Sequence, residues 1–228
     1  MAIKRSYSDG CAAAHALDLV GERWALLIVR ELLLGPKRFT DLRAGLAGIS
    51  PNVLTQRLGE LESAFVLRRR RLPPPASAWA YELTDWGREL EPPILELVRW
   101  GLRSPAFIRG APLGIDPLVL SFKALADPQA LAGCELRLQM RFDTQVFSVQ
   151  ASGGALNVRR GEDQHAQVSV ASDTQTMLRL AYGKGSLQEA LRAGTISLSG
   201  DAAVLQGFFD LFLLPGPGVG PHTGSDPV

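Results

Sequence analysis

The sequence predicts an α+β chain made of two dissimilar halves, and three observations carry that prediction. Up to about residue 102, apolar residues recur at helical spacing and are interrupted only by two short strand-like runs. From Cys134 onward, alternating runs separated by glycines read as strands of an antiparallel sheet. Between the halves, Pro105, Gly110, Pro112 and Gly114 mark a linker. The expected organisation is a first domain over 1–103, a linker over 104–115, a second domain over 116–214 and a disordered Gly/Pro-rich tail over 215–228. With 228 residues, 46% of them apolar, the chain has material for two cores.

The net charge of +1 hides an asymmetry. Residues 1–103 hold 15 Lys+Arg against 12 Asp+Glu, residues 104–228 hold 9 against 11, and the short span 37–71 holds 8 against 3. Basic charge concentrated in one stretch is the electrostatic footprint of a nucleic-acid contact, although it also serves solubility. No apolar run is long enough to span a membrane, and the first residues lack the apolar core of a signal peptide. Cys11 and Cys134 form no CxxC pair or disulfide framework, so a cytoplasmic location is expected.

In chain order, a short basic arm with Lys4 and Arg5 precedes Cys11–Leu34, one helix or two closely joined, with Leu17, Val20, Trp24, Leu27 and Ile28 inward. Gly35-Pro36 stops it, and Phe39–Leu46 is a short helix. The next helix starts with Ser50 as cap and Pro51 at the first helical position. Its apolar stripe is Leu54, Leu58, Leu61 and Phe65; Asn52, Gln56, Gly59 and Ser63 face the other way, with Thr55 at the edge. Arg68–Arg71 follow, in a candidate strand pair Val66–Leu72 and Trp79–Leu83 whose tip holds Pro73-Pro74-Pro75. A short turn, a polar-faced helix and a basic hairpin form a winged helix-turn-helix, in which the helix reads base edges and the wing grips phosphate. An ordinary amphipathic helix beside a solvated charge run gives the same local pattern. Thr84 then caps a helix to about Leu102, with Leu90, Ile94, Leu97, Val98 and Gly101 on one side and Pro92-Pro93 marking a kink or restart.

The order CAAAHALDLVGERWALLIVRELLLGPKRFTDLRAGLAGISPNVLTQRLGELE, a basic wing, YELTDWGREL and VRWG resembles the HxlR family of MarR-like bacterial transcriptional regulators over about residues 8–102. The resemblance implies a homodimer on double-stranded DNA, paired through the N-terminal arm and the Thr84–Leu102 helix. The DNA-binding candidates are Lys37, Arg38, Ser50, Asn52, Thr55, Gln56, Arg57, Arg69 and Arg70. Asn52, Thr55 and Gln56 suit base edges, because amides pair with adenine and hydroxyls are versatile. Arg57 either reaches phosphate or pairs with Glu60 three residues on. Two departures touch the wing: Phe65 stands where such regulators usually have Gly, and Ala78-Trp79-Ala80 replaces a charged returning strand.

In the second half, Asp116-Pro117 opens a helix to about Leu125. Cys134–Phe142 alternates strictly, placing Cys134 in the core, and Gln145–Ala151, Leu156–Arg160 and Ala166–Ala171 continue an antiparallel meander. Asp173–Tyr182 is helical, Ser186 and Glu189 have capping-box spacing, Thr195–Ser199 is a strand, and Asp201–Leu214 is a last helix. The run VSVASDTQTMLRLAYGKGSLQEALRAGTISLSGDAAVLQGFFDLF resembles sterol-carrier-protein-type domains, so that the second half is expected to be a sterol-carrier-like α/β domain with an antiparallel sheet. That resemblance implies a tunnel for an apolar small-molecule effector, with Phe147, Met177, Phe208 and Phe212 as ligand-binding candidates, although such spacing also makes plain core.

No phosphate loop, HExxH or nucleophile elbow occurs, and His15, His165 and His222 lie far apart, so no enzyme, metal site or cofactor is expected. Cys11 is the redox candidate, since some HxlR-like regulators sense oxidants through a thiol at this position and a helix start lowers thiol pKa. A small buried residue is the preferred reading of it. An apolar-ligand carrier with an attached DNA-binding module is the competing account of the whole chain.

Overall fold

The protein, a computed structural model, is described over residues 6–73, 77–108, 110–183 and 185–216. Lys4, Arg5, the wing-tip residues Pro74 and Pro75, and most of the expected tail lie outside the described residues. The chain divides into two compact units, Met1–Ile94 and Leu95–Val228. Among the described residues no helix is long and apolar enough to cross a membrane.

The first unit contains α1 (Ala12–Val20), α2 (Ala25–Leu32), α3 (Phe39–Gly45), α4 (Pro51–Ser63), β1 (Leu67–Arg71), β2 (Trp79–Leu83) and α5 (Asp85–Arg88), and α6 (Glu91–Leu102) runs out of it. Its core joins Ile28, Val29 and Leu32 of α2 to Leu42, to Leu54, Leu58 and Leu61 of α4, and to Val66 and Leu83 of the wing. This is the helix-turn-helix and two-stranded wing that the spacing predicts. The expected inward faces need three corrections. α1 and α2 are separate helices, joined through Trp24 in the left-handed region (φ 80°), so one 3.6-residue period does not run across both. Leu17 is consequently 50% exposed, and Leu27 is exposed too. Phe65 does not complete the α4 stripe: the helix ends at Ser63, and Phe65 turns outward at φ 57°, 76% exposed. Leu97 of α6 is likewise exposed.

The helix ends follow their caps. The Ser50 hydroxyl accepts the Val53 N–H at 3.3 Å, and the Thr84 hydroxyl accepts the Gly87 N–H at 2.9 Å. Gly87 is required by close approach, because any Cβ there would run into the Val66 carbonyl oxygen. The restart at Glu91 places Pro92 and Pro93 in the first turn of α6, where a missing N–H costs nothing.

The second unit holds α7 (Ile115–Leu125), α8 (Pro128–Leu131), β3 (Leu136–Phe142), β4 (Gln145–Ser152), β5 (Ala155–Arg160), β6 (Val168–Ser172), α9 (Thr174–Ala181), α10 (Leu187–Arg192), β7 (Ile196–Gly200) and α11 (Ala202–Phe209). The sheet order is β5-β4-β3-β6-β7. The expected meander holds for β3-β4-β5, but β6 crosses to the far side of β3 and pairs with it in parallel, and only then does β7 return antiparallel. Strand periodicity specifies faces and not partners. The crossover is pinned by the Asp163 carboxylate, which accepts from Arg137 Nε and Nη2 at 2.9 and 2.8 Å, while the Asp163 N–H donates to the Gln139 side chain at 3.0 Å. The Arg137 hydrogen bonds hold the Asp163 carboxyl below the usual carboxylate range.

Leu136, Leu138, Met140 and Phe142 are buried on one face of β3, as the alternation predicts. Cys134 is not core: β3 starts two residues later, and the thiol is partly exposed in the turn after Gly133. The last helix also ends early. After Phe209 the Leu211 carbonyl accepts the Asp127 N–H at 2.7 Å, and Phe212 bridges to Ala126.

Candidate nucleic-acid interface

α4 positions the candidate reading residues by burying its opposite side. Leu54, Leu58 and Leu61 are at most 1% exposed, which forces Asn52, Thr55 and Gln56 outward. Asn52 and Thr55, in the first turns after the Ser50 cap, have no side-chain hydrogen bond to another described residue and keep their full polar capacity. Ser50 itself is committed to the cap. Farther along, Ser63 bonds back to the Gly59 carbonyl at 2.9 Å. Gln56, Gly59, Glu60, Ser63, Ala64 and Leu19 line a shallow groove of about 540 Å³.

The basic candidates separate into two groups. Arg57 is only 14% exposed, and all three of its nitrogens are engaged: Nη2 with Glu22 at 2.9 Å, Nε with the Arg23 carbonyl at 3.3 Å, and Nη1 with Glu60. Of its two expected roles, the pair with Glu60 is the one formed. Lys37 is tied down as well, its Nζ 2.6 Å from the buried Glu31 carboxylate, which Arg30 also meets at 2.8 Å. Sequence reasoning missed Glu31, although a charge three residues after Ile28 and one before Leu32, inside an apolar stripe, is a visible signal. Arg38 is half-buried at the start of α3, where its N–H meets Asp41 at 3.3 Å.

The wing arginines form the second group. β1 and β2 pair antiparallel from Leu67↔Leu83 to Arg71↔Trp79, so alternate arginines take opposite sides. Arg68 and Arg70 flank the buried Glu82, each at 2.9 Å. Arg69 lies over the Tyr81 ring at 5.3 Å and 3.5 Å from Glu62. Arg71 has no ion pair with any other described residue. The Arg69–Glu62 pair, exposed on both sides, holds weakly and exchanges readily for phosphate. Tyr81 and Lys37 exchange backbone hydrogen bonds at 3.0 and 2.8 Å, fixing the wing base to the turn before α3.

Cys11 is exposed, against the expectation of burial, and stands at the N-cap position of α1 without a side-chain capping hydrogen bond. The nearby Ala13 and Ala14 backbone N–H groups at the helix start lower its thiol pKa. In the second unit the ligand candidates are all buried but do not form one group. Phe208 and Phe212 stack edge to face at 4.8 Å and both meet Phe122 at 5.3 Å. Phe147 contacts Phe142 instead, with the Arg160 guanidinium 4.9 Å from its ring. The Tyr182 hydroxyl closes the first cluster by bonding Ser121, and burial raises its pKa.

Comparison with known proteins matches the two halves of the chain to different families. The family described as HxlR-like helix-turn-helix matches residues 19–105, and the family described as alkyl sulfatase C-terminal matches residues 121–218. The chain is 38% identical over 95 residues to the uncharacterized HTH-type transcriptional regulator YvaP of Bacillus subtilis, covering 41% of this chain and 88% of that protein. It is 36% identical over 85 residues to the HTH-type transcriptional regulator YodB of the same organism, covering 37% and 76%. The solved structure of quinone-bound YodB from B. subtilis aligns at 33% identity with a TM-score of 0.34, over 39% of this chain and 92% of that one. The second half thus matches alkyl sulfatase C-terminal domains, and its sterol-carrier likeness stays a resemblance.

Proposed function

The chain belongs to the HxlR-like helix-turn-helix family of transcriptional regulators, and on that premise we propose how it acts. A homodimer binds a pseudo-palindromic duplex, the N-terminal half of each α4 enters a major groove, and each wing grips the flanking backbone. The observation that carries this reading is the exposed, uncharged and uncommitted pair Asn52 and Thr55 at the capped start of α4, followed in the chain by the arginine-bearing β1. Asn52, Thr55 and Gln56 supply base contacts; Arg69, Arg70 and Arg71 supply phosphate contacts. Lys37 and Arg57 shape the unit from within. Apolar side chains left uncovered on a single chain, Leu17, Leu97 and Trp100 among them, support pairing through α1 and α6. The domain limits 1–103 and 116–214 remain our division of these roles.

Selection of duplexes from a random pool, followed by binding titrations across a salt series, tests the assignment. A specific site whose half-sites lie about one helical turn apart is expected, with affinity falling steeply as salt rises. Binding that is equal for all duplexes removes α4 from sequence reading.

The second unit serves as the effector domain for an apolar, long-chain ligand. Its match to a family named for alkyl sulfatases supports that class, as does the aromatic cluster around Phe208. A fatty acid below its micellar concentration is expected to raise the melting temperature of the full chain and to shift operator affinity. DNA must then shift fatty-acid affinity by the same factor. No saturable binding of fatty acid, acyl thioester or sterol eliminates this part.

A further inference from the structure

We propose that Glu60 is a positioning residue that fixes which way the Gln56 amide faces, so that Gln56 presents its carbonyl oxygen to the duplex and selects a base carrying an amino group. The proposal rests on the DNA-reading role of α4 given above and names the chemistry at one of its positions. Both carboxylate oxygens of Glu60 are committed. Oε1 accepts from the Gln56 side-chain nitrogen at 2.9 Å, and Oε2 accepts from Arg57 Nη1. Arg57 is in turn held by Glu22 and by the Arg23 carbonyl, both outside α4. Glu60 therefore cannot swing away without breaking an ion pair anchored at two further points.

A carboxylate has no proton to give, so it accepts only. The nitrogen end of the Gln56 amide must therefore lie toward Glu60, and the oxygen end must point away from it. An unconstrained glutamine flips and serves either donor or acceptor bases, whereas this one offers its oxygen first. In the major groove, adenine N6 and cytosine N4 are the donors that such an oxygen meets, while guanine and thymine present acceptors in the corresponding place.

The test is duplex selection from a random pool with the full chain. The wild type is expected to restrict one position in each half-site to adenine or cytosine, by about tenfold over guanine or thymine. Gln56→Ala loses that restriction alone. Glu60→Ala keeps the rest of the site but admits guanine and thymine at that position, because the amide is free to turn. The exchange Gln56→Glu with Glu60→Gln conserves charge, leaves only an acceptor at residue 56, and restores the preference. A purely structural role for Glu60 would lower affinity for every duplex and leave the base profile unchanged, and that result overturns the proposal. So does a guanine or thymine preference at the position that Gln56→Ala releases. A wild type that enriches no site at all refutes the reading role of α4 itself, which separates the two failures.

Discussion

α4 and α11 follow the same packing rule and put their interesting residues on opposite sides of it. α4 buries three leucines and leaves Asn52, Thr55 and Gln56 in solvent. α11 turns Leu205, Phe208 and Phe209 inward and leaves none of its large apolar side chains exposed. In the first unit, then, the residues proposed to recognise DNA and the residues that hold the fold are different. In the second, the proposed ligand-binding residues are core residues, so any ligand there would have to compete with packing already made at ring separations near 5 Å.

The largest expected effect tests that contrast directly. Phe208→Ala removes a fully buried ring with three aromatic neighbours and should cost about 3–5 kcal/mol of second-unit stability. Denaturant unfolding should show it as an earlier transition of that unit. Operator affinity without effector should stay within twofold, and a large loss of it would mean that the two units fold as one.

Next in size is Glu31→Ala. The carboxylate is 1% exposed between Arg30 and Lys37, and Gly45 leaves the room it occupies. Removing one member of a buried ion cluster leaves uncompensated charge and costs about 3 kcal/mol or more. The first-unit transition should move while the second stays fixed. An unchanged midpoint would make Glu31 dispensable and return Lys37 to the list of phosphate contacts.

These two sites also mark how far the sequence could be read. Helical period and caps gave α4 to the residue at its start, and the sequence of motifs around it resembles one family closely. Among the phosphate candidates, Lys37 also pairs with Glu31 six residues away, and Arg57 pairs with Glu22 thirty-five residues away as well as with the expected Glu60; spacing along one helix does not report the two longer-range pairs. The parallel β3–β6 pairing escaped for a similar reason, since alternation in 134–142 and 166–171 fixes each strand's faces and leaves its neighbour open. The ligand candidates were legible as apolar and aromatic. Whether aromatic residues line a space or fill it depends on three-dimensional separations that no linear pattern encodes.

A smaller effect, on function alone, is expected from Asn52→Ala. The side chain is exposed and unpartnered among the described residues, so stability should change by less than about 0.5 kcal/mol. Loss of a base contact should cost about 1–3 kcal/mol of operator affinity and relax one base position. Binding isotherms on the selected site and its single-base variants measure both. A melting temperature that falls as far as the affinity would erase the separation of roles claimed for α4.

The smallest effect comes from Phe65, where the two kinds of residue meet. It sits at φ 57°, in the turn from α4 into the wing, and its ring is 76% exposed. Left-handed backbone costs a non-glycine residue about 1–2 kcal/mol. Glycine removes that strain but gives the unfolded chain more freedom, worth about 0.5–1 kcal/mol in the other direction. Little burial is lost with the ring, so Phe65→Gly should stabilise the first unit by about 0.5 kcal/mol, readable as a small rise in its denaturant midpoint. Phe65→Ala keeps the strain and gains nothing, which makes it the control. If both variants are less stable than the wild type, the exposed ring is contributing contacts that outweigh its backbone strain. The wing entry would then be held by a side chain and not by its turn. If only the glycine variant gains, Phe65 is a strained residue kept at the exit of the reading helix at a small cost in stability. The place to look for its role is then the DNA complex, where titration of Phe65→Gly against the selected operator should show weaker binding despite the firmer fold.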